Sequence, residues 1–191
     1  MSLDQADRPL STIDWPVRTD RLVLRPSTPA DAEAVRRYRR LPEVYRWLGA
    51  APGERDWPAY FEQRLARTVV IELDGLIIGD LMISVQDGWA QAEVADRAKG
   101  CEAELGWSID PAHAGNGYAT EAVREVIRIC FTDLGLRRIT ANCFADNVPS
   151  WRLMERLGMR RELATRKESL HRELGWLDGY GYALLADEWQ H

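Results

Sequence analysis

The segment DPAHAGNGYATEAV, Asp110 to Val123, constrains the fold more than any other part of the chain. It joins an alternating run, CEAELGWSID (101–110), to one in which Ala119, Ala122, Val123, Val126, Ile127, Cys130 and Leu134 recur at helical spacing. A period of two predicts a strand and a period near 3.6 predicts a helix. Gly115, Asn116 and Gly117 stand between them. Glycine lacks a Cβ, so its backbone can approach a ligand closely. The first N–H groups of a helix have no internal partner, and the helix dipole adds partial positive charge there. Gly115, Gly117, Tyr118, Ala119 and Thr120 can therefore all offer backbone donors to an anion. A plain strand-to-helix turn uses the same residues. A hairpin at Asn116-Gly117 needs a second strand, and the helical period that follows supplies none.

The remaining elements give the fold class. RLVLRPS (21–27) alternates as a strand, and TPADAEAVRRYRR (28–40) reads as a helix capped by Ser27 or Thr28, with Pro29 early. ERDWPAYFEQRLART (54–68) reads as a second helix. VVIELDGLIIGDLMISVQ (69–86) is a pair of strands joined at Asp74-Gly75. DGWAQAEVADRAKG (87–100) is polar and mixed, a connecting loop. Past the glycine helix, which Gly135 ends, RRITANCFA is a strand and VPSWRLMERLG a short helix. MRRELATRKESL and WLDGYGYALL are two closing strands, and ADEWQH is a tail. The order β-α-α-β-β-β-α-β-α-β-β predicts an α+β chain, a mixed sheet of about seven strands with about four helices packed on it. At 191 residues the chain is expected to be one domain over 1–191, with 1–18 as an extended N-terminal segment.

Charge and cysteine usage narrow the function classes. A formal net charge of −5 argues against a nucleic-acid partner and suits a cationic small molecule or basic peptide. Any anionic ligand must then be held by local features. The three cysteines, Cys101, Cys130 and Cys143, show no ligand spacing, so reduced thiols, no metal and a cytoplasmic location are expected. Cys130 and Cys143 lie in apolar runs and read as buried fillers. No stretch approaches the roughly 20 apolar residues of a membrane span. Eight tryptophans suggest aromatic walls; Trp47 and Trp57, near the early helices, suit a pocket wall or the core.

Two phosphate-binding motifs fail on this segment. A P-loop needs Gly-Lys-Ser/Thr, but Tyr118 follows Gly117; a dinucleotide fingerprint needs a third glycine where Thr120 stands. The second failure, with the element order, removes a nucleotide oxidoreductase. The segment instead resembles motif A of the GNAT superfamily of N-acetyltransferases, (Gln/Arg)-x-x-Gly-x-(Gly/Ala), as Ala114-x-x-Gly117-x-Ala119. GNGYATEAV is especially similar to the Rim-type branch of ribosomal-protein alanine acetyltransferases. The departure is Ala114, where Gln or Arg is usual. NVPSWRLMERLGM (147–159) is similar to that branch's second motif, GWLDGYGYALLADEW to its closing strands and TDRLVLRPSTPADAEAV to its opening. The resemblance runs from about Thr19 to Trp189.

The resemblance implies the GNAT fold, a largely antiparallel twisted sheet whose central strands splay apart, and transfer of acetyl from acetyl-CoA, with no metal. The acceptor it implies is a primary amine of a small molecule or a protein N-terminus, and family habit implies a homodimer. It places the pantetheine and oxyanion contacts on the backbone of Trp107, Ser108 and Ile109. The phosphates fall to Ala114, Gly115, Asn116, Gly117, Tyr118, Ala119 and Thr120. Asn147 is the expected pantetheine contact and Arg152 a phosphate partner.

An amine is mostly protonated at neutral pH and must lose a proton to attack. Glu102 and Glu104 share a strand face with Gly106 and Ser108. Glu104 is the favoured base, direct or through water, and Glu102 a substrate contact; both also suit solvated strand positions. The family's tyrosine proton donor corresponds to Met154, which cannot donate; the Rim-type serine corresponds to Ser150, the expected donor to the leaving thiolate. Ser150 equally suits an N-cap. His113 reads as a surface residue, while His171, Trp176 and Asp178 fall where the family builds part of its acceptor pocket. A non-catalytic acyl-CoA-binding module is the alternative: Ala114 and Met154 favour it, Ser150 and Asn147 oppose it.

Overall fold

The computed structural model describes residues 9–50 and 56–189. Among these residues eight strands form one sheet: β1 (Val17–Arg18), β2 (Val23–Pro26), β3 (Thr68–Leu73), β4 (Leu76–Gln86), β5 (Glu102–Ile109), β6 (Arg138–Phe144), β7 (Arg160–His171) and β8 (Gly175–Leu185). Their order is β1-β2-β3-β4-β5-β6-β8-β7, and every neighbouring pair is antiparallel except β5 with β6. Among the described residues five α-helices pack on it: α1 (Ala32–Arg39), α2 (Pro42–Tyr45), α3 (Trp57–Glu62), α4 (Tyr118–Arg128) and α5 (Val148–Arg156). The mixed, mostly antiparallel sheet matches the expected class.

The differences have local causes. The N-terminal segment is more than an extended lead-in. Leu10 is buried in the core, the Trp15 indole donates to its carbonyl at 2.7 Å, and Val17–Arg18 adds an edge strand against Val23 and Leu24. The second helix is shorter than its pattern: α3 stops at Glu62 and a 3-10 turn, Leu65–Arg67, leads into β3. Residues 54 and 55 of that expectation lie outside the described residues. Another 3-10 stretch, Ala92–Ala98, stands within the expected loop. Asp74 and Gly75 both take positive φ, as the hairpin signal requires.

The helical start near Thr28 agrees with its sequence signal. Asp31 accepts from the Thr28 backbone N–H and hydroxyl and pairs with Arg25, so Pro29–Asp31 turns into α1 with its first donors satisfied.

Core side chains lie on both faces of the sheet. On one, Ala103 and Leu105 of β5 pack with Ala122, Val123, Val126 and Ile127 of α4. On the other, Val35 and Tyr38 of α1 meet Trp57 and Phe61 of α3 over Val70 and Ile77. Between Ile71 and Glu72 the β3–β4 register slips, which brings Asp80 and Met82 to the α1–α3 side. Trp57 thus belongs to the core, where its indole donates to the Ala32 carbonyl at 2.7 Å, while Trp47 is left half-buried.

Candidate active site

The site begins where the sheet opens. β5 and β6 pair only at Glu102–Arg138, Ala103–Ile139 and Glu104–Thr140. Beyond that point β5 stays on β4 as far as Ile109, and β6 stays on β8 as far as Phe144. The two central strands therefore splay. A cleft of about 990 Å³ occupies the gap, with α4 and α5 at one end and α1 and α3 at the other.

The glycine turn forms the first end. Gly115 has φ +79° and Gly117, the residue capping α4, has φ +83°. Only glycine takes this left-handed conformation without steric cost. The first helical bond of α4 runs from the Glu121 N–H to the Gly117 carbonyl at 3.0 Å. Tyr118, Ala119 and Thr120, all lining the cleft, thus keep N–H groups that the helix itself cannot satisfy. Upstream, Asp110 accepts from the Ala112 N–H at 3.0 Å and pairs with Arg37, which fixes the turn leaving β5. The Asn116 side chain donates to the His113 and Ala114 carbonyls and so braces the turn from outside the cleft lining.

Trp107, Ser108, Ile109, Ala114, Gly115, Gly117, Tyr118, Ala119, Thr120, Asn147, Ser150 and Arg152 all line this cleft. Ser150 is not the residue that caps α5. Asn147 holds that position, with Ser150 one turn inside, next to Cys143. Burial raises the Cys143 thiol above its ordinary value, and a hydrogen bond to Ser150 acts in the opposite direction. Met154 is buried and belongs to the lining of the same cleft.

Besides Asn116, the expected residues Glu102, Glu104, Trp176 and Asp178 stand apart from the lining. Glu102 pairs with Arg137, and Glu104 accepts from Asn142 Nδ2 at 3.2 Å; both lie in the zipped part of β5. Asp178 accepts from the Lys167 N–H at 2.9 Å, where β7 bulges with Lys167 at positive φ, and Trp176 is exposed on the β7–β8 hairpin.

Other lining residues escaped the sequence reading. Cys143 is half-buried at the cleft rather than a core filler, and His113 faces the cleft rather than solvent alone. Arg156 reaches the Thr120 hydroxyl at 3.4 Å. Outside the lining, Arg21 binds the Asn116 carbonyl at 3.0 Å and stacks 4.6 Å from the Tyr118 ring centre. Arg39, Tyr60, Arg64 and Met82 complete the α1–α3 end. Their signal was absent from any local motif. Trp47 forms a wall held by the rings of Phe144 and His171, with His171 itself buried.

A polar ligand fits this lining. Ser108 Oγ and His113 Nδ1 are buried without a hydrogen-bond partner among the described residues, whereas buried polar atoms are normally bonded. Together with the donors of the glycine turn they suit an elongated molecule carrying phosphate at one end and amides along its length. Among the described residues no cluster of three or more His, Cys, Asp or Glu side chains is arranged to hold a metal ion, and no helix is long and apolar enough to cross a membrane.

Comparison with known proteins places this site in a class. A family model described as an acetyltransferase (GNAT) domain matches residues 21–160. The chain belongs to the GNAT acetyltransferase family and is an enzyme of the N-acetyltransferase class. It is 40% identical over 86 residues to an uncharacterized N-acetyltransferase, YnaD, of Bacillus subtilis (strain 168), a match spanning 45% of this chain and 50% of that protein. It is 29% identical over 164 residues to the L-amino acid N-acetyltransferase AaaT of Escherichia coli (strain K12), covering 83% of this chain and 94% of that one. Mycobacterium smegmatis RimJ, solved with CoA-disulfide, superposes with a TM-score of 0.69 at 27% identity, covering 89% of this chain and 84% of that chain. That likeness accords with the resemblance to the Rim-type branch.

Proposed function

We propose that the chain transfers an acetyl group from acetyl-CoA to a primary amine, on a small molecule or a protein N-terminus, within a ternary complex. The observation that supports it most is the left-handed turn at Gly115 and Gly117, set at the mouth of the gap between β5 and β6. In this reading Ala114 to Thr120, braced by Asn116 and joined by Arg152, hold the phosphates, and Asn147 holds the pantetheine arm. Acetyl-CoA supplies the thioester carbonyl. The backbone of Trp107, Ser108 and Ile109 donates to its oxygen as charge develops there. Ser150 returns a proton to the sulfur, and its place inside α5 rather than at the cap supports this use. Glu104 reaches the cleft only through Asn142, so its proposed part is to draw the amine proton through water. Glu102, Trp176 and Asp178 stand apart from the cleft lining, with structural partners or exposed positions, and nothing in the geometry supports the part in substrate binding expected of them. AaaT is named for L-amino acids, which are primary amines of the proposed kind.

The test is isothermal titration with acetyl-CoA against the wild type and Gly117→Glu, followed by CoA release over a panel of amines. Binding that the variant abolishes, with release, supports the reading. Binding without release from any amine favours the non-catalytic module. No binding removes the reading. Leu170, Leu174 and Trp176, exposed on the β7–β8 hairpin, support the proposed homodimer; light scattering that gives a monomer at micromolar concentration removes it. A cytoplasmic location remains part of the proposal, tested by cell fractionation.

A further inference from the structure

The charge at the α1–α3 end of the cleft runs against the charge of the whole chain. The net charge is −5, yet the two side chains over the middle of β4 and β5 are guanidiniums, Arg39 and Arg64, with Glu43 exposed at the rim. The two arginines differ in their partners. Arg39 binds Asp80 through Nε at 2.9 Å and Nη2 at 2.5 Å, and the Tyr38 hydroxyl donates to the same carboxylate at 2.6 Å. Arg64 has no carboxylate partner among the described residues. Its Nη2 lies 3.7 Å from Met82 Sδ, and its guanidinium carbon 5.2 Å from the Tyr60 ring centre. A thioether is a weak acceptor and a ring face a diffuse one. Burial, with the nearby charges of Arg39 and Arg67, pulls the Arg64 guanidinium below its usual value, against support from Tyr60 and Asp80. It still carries its charge at neutral pH. A half-buried guanidinium in these surroundings is completed by an anion presented from the cleft.

Its position says which anion. Met82 is the register partner of Gly106, and Asp80 of Ser108. Gly106 puts no side chain between Arg64 and the strand; a Cβ there would meet the Met82 methyl at 3.6 Å. Two residues along a strand span roughly 7 Å. Under the proposed function the reacting carbonyl lies near Ser108, that distance from Gly106. The amine and carboxylate carbon of an α-amino acid are about 2.5 Å apart by standard bond geometry. A guanidinium–carboxylate pair adds about 4 Å. The sum, about 6.5 Å, is the reach from the amine of an α-amino acid to a guanidinium that binds its carboxylate, a length of the same order as two strand residues.

We propose that Arg64 is the carboxylate anchor of the acceptor pocket, and that the acceptor is a small amine of the α-amino-acid type. This rests on the acetyl-transfer reading above. In the reaction the amine nitrogen bonds to the acetyl carbon and the carbon–sulfur bond breaks. The sulfur leaves with a proton, the amine loses one, and Arg64 exchanges none. The chain's acidic balance does not by itself select a polyamine, because at this end Arg39 is already paired with Asp80 and Arg64 is the lining guanidinium left to a ligand.

The experiment uses the standard L-amino acids and their carboxamides as paired probes with the full-length wild type, Arg64→Gln and Arg64→Lys. CoA release gives kcat/KM, and titration of each pair into enzyme saturated with CoA gives binding without turnover. The wild type is expected to prefer acid over amide by about tenfold or more in both readouts. Arg64→Gln is expected to erase that difference, mainly through KM, and Arg64→Lys to keep part of it, since lysine retains the charge without the fork. A variant that no longer binds acetyl-CoA has lost its fold, and the other then carries the test. Equal use of acid and amide by the wild type, or better use of peptides than of free amino acids, overturns the anchor and leaves acetyl transfer standing. No CoA release from acids, amides, peptides or polyamines overturns both.

Discussion

Arg21 and Glu121, a hundred residues apart in sequence, form an ion pair at 2.6 Å across the mouth of the glycine turn. Glu121 also accepts from the Thr19 hydroxyl at 2.5 Å and from the Arg21 N–H at 2.9 Å. One carboxylate in the first turn of α4 thus ties the start of the chain to the helix whose N–H groups face the cleft. Burial pushes its carboxyl up, but the bonds from Thr19 and Arg21 more than reverse this, so it titrates below the ordinary glutamate value. A depressed folded value means the stabilisation is full above the unfolded value near 4.3 and is lost as pH falls through the folded one.

Glu121→Gln is therefore expected to cost about 1–3 kcal/mol at pH 7, because Arg21 and Thr19 lose a charged acceptor. The cost should shrink as the pH drops below about 4. Urea unfolding of both proteins at pH 7, 5, 4 and 3 checks this. A gap that stays constant down to pH 3 would show that the carboxylate charge contributes nothing. Acetyl-CoA affinity should weaken in the same variant, since Arg21 also holds the Asn116 carbonyl.

Ser150 separates chemistry from capping. Asn147 precedes the first turn of α5, so removing the Ser150 hydroxyl leaves the cap intact. Ser150→Ala should change stability by less than about 0.5 kcal/mol. If Ser150 serves the thiolate, turnover should fall by about 100-fold, the lower end of a general acid's contribution. Thermal melting and CoA release on the same preparation give both quantities. Equal loss of stability and rate would return Ser150 to a structural role.

These contacts mark the boundary of what could be read from sequence. The β5–turn–α4 unit was legible because strand alternation, two glycines and helical spacing are all local. The backbone donors of Gly115 and Gly117 to Thr120 followed from it, while Trp107 to Ile109, Ala114, Asn116, Asn147 and Ser150 came through the resemblance. Glu102 and Glu104 show what local pattern omits. Alternation places them on the face of Ser108 but cannot say that pairing with β6 runs as far as Glu104, which leaves them in the closed part of the strand pair. Arg39 and Arg64 were illegible for the opposite reason. They come from segments well before β5 in the chain, α1 and the turn after α3, and the register slip between β3 and β4 brings Asp80 and Met82 to meet them. Strand β1 is two residues long, too short for any period to show.

The Tyr38–Asp80–Arg39 network should be the costliest polar group to disturb. Asp80 is buried and holds a tyrosine hydroxyl and two guanidinium nitrogens. Asp80→Ala strands Arg39 in a buried position and should cost about 3–5 kcal/mol. The double variant Asp80→Ala/Arg39→Met should recover part of that loss, because the two residues share one interaction. Denaturant midpoints of the single and double variants settle it. A double variant as unstable as the sum of the singles would mean that the pair is not coupled.

Gly79 sets how closely β4 can approach the strand that carries Ser108. A Cβ at Gly79 would lie 2.6 Å from the Ser108 carbonyl oxygen and 2.6 Å from Ile109 Cδ1. The side chain can swing away, but the carbonyl cannot move without shifting β5. Gly79→Ala should therefore cost about 1–3 kcal/mol through overpacking. It should also displace the Trp107–Ile109 backbone, and a displacement near 1 Å can lower turnover by about 100-fold. The informative measurement is kcat at a temperature where circular dichroism shows the variant fully folded. A folded variant with unchanged kcat would mean that β5 tolerates displacement there, and would move the oxyanion contacts away from Ser108 and Ile109. A folded variant with depressed kcat and unchanged acetyl-CoA affinity would place the loss in the reacting geometry itself.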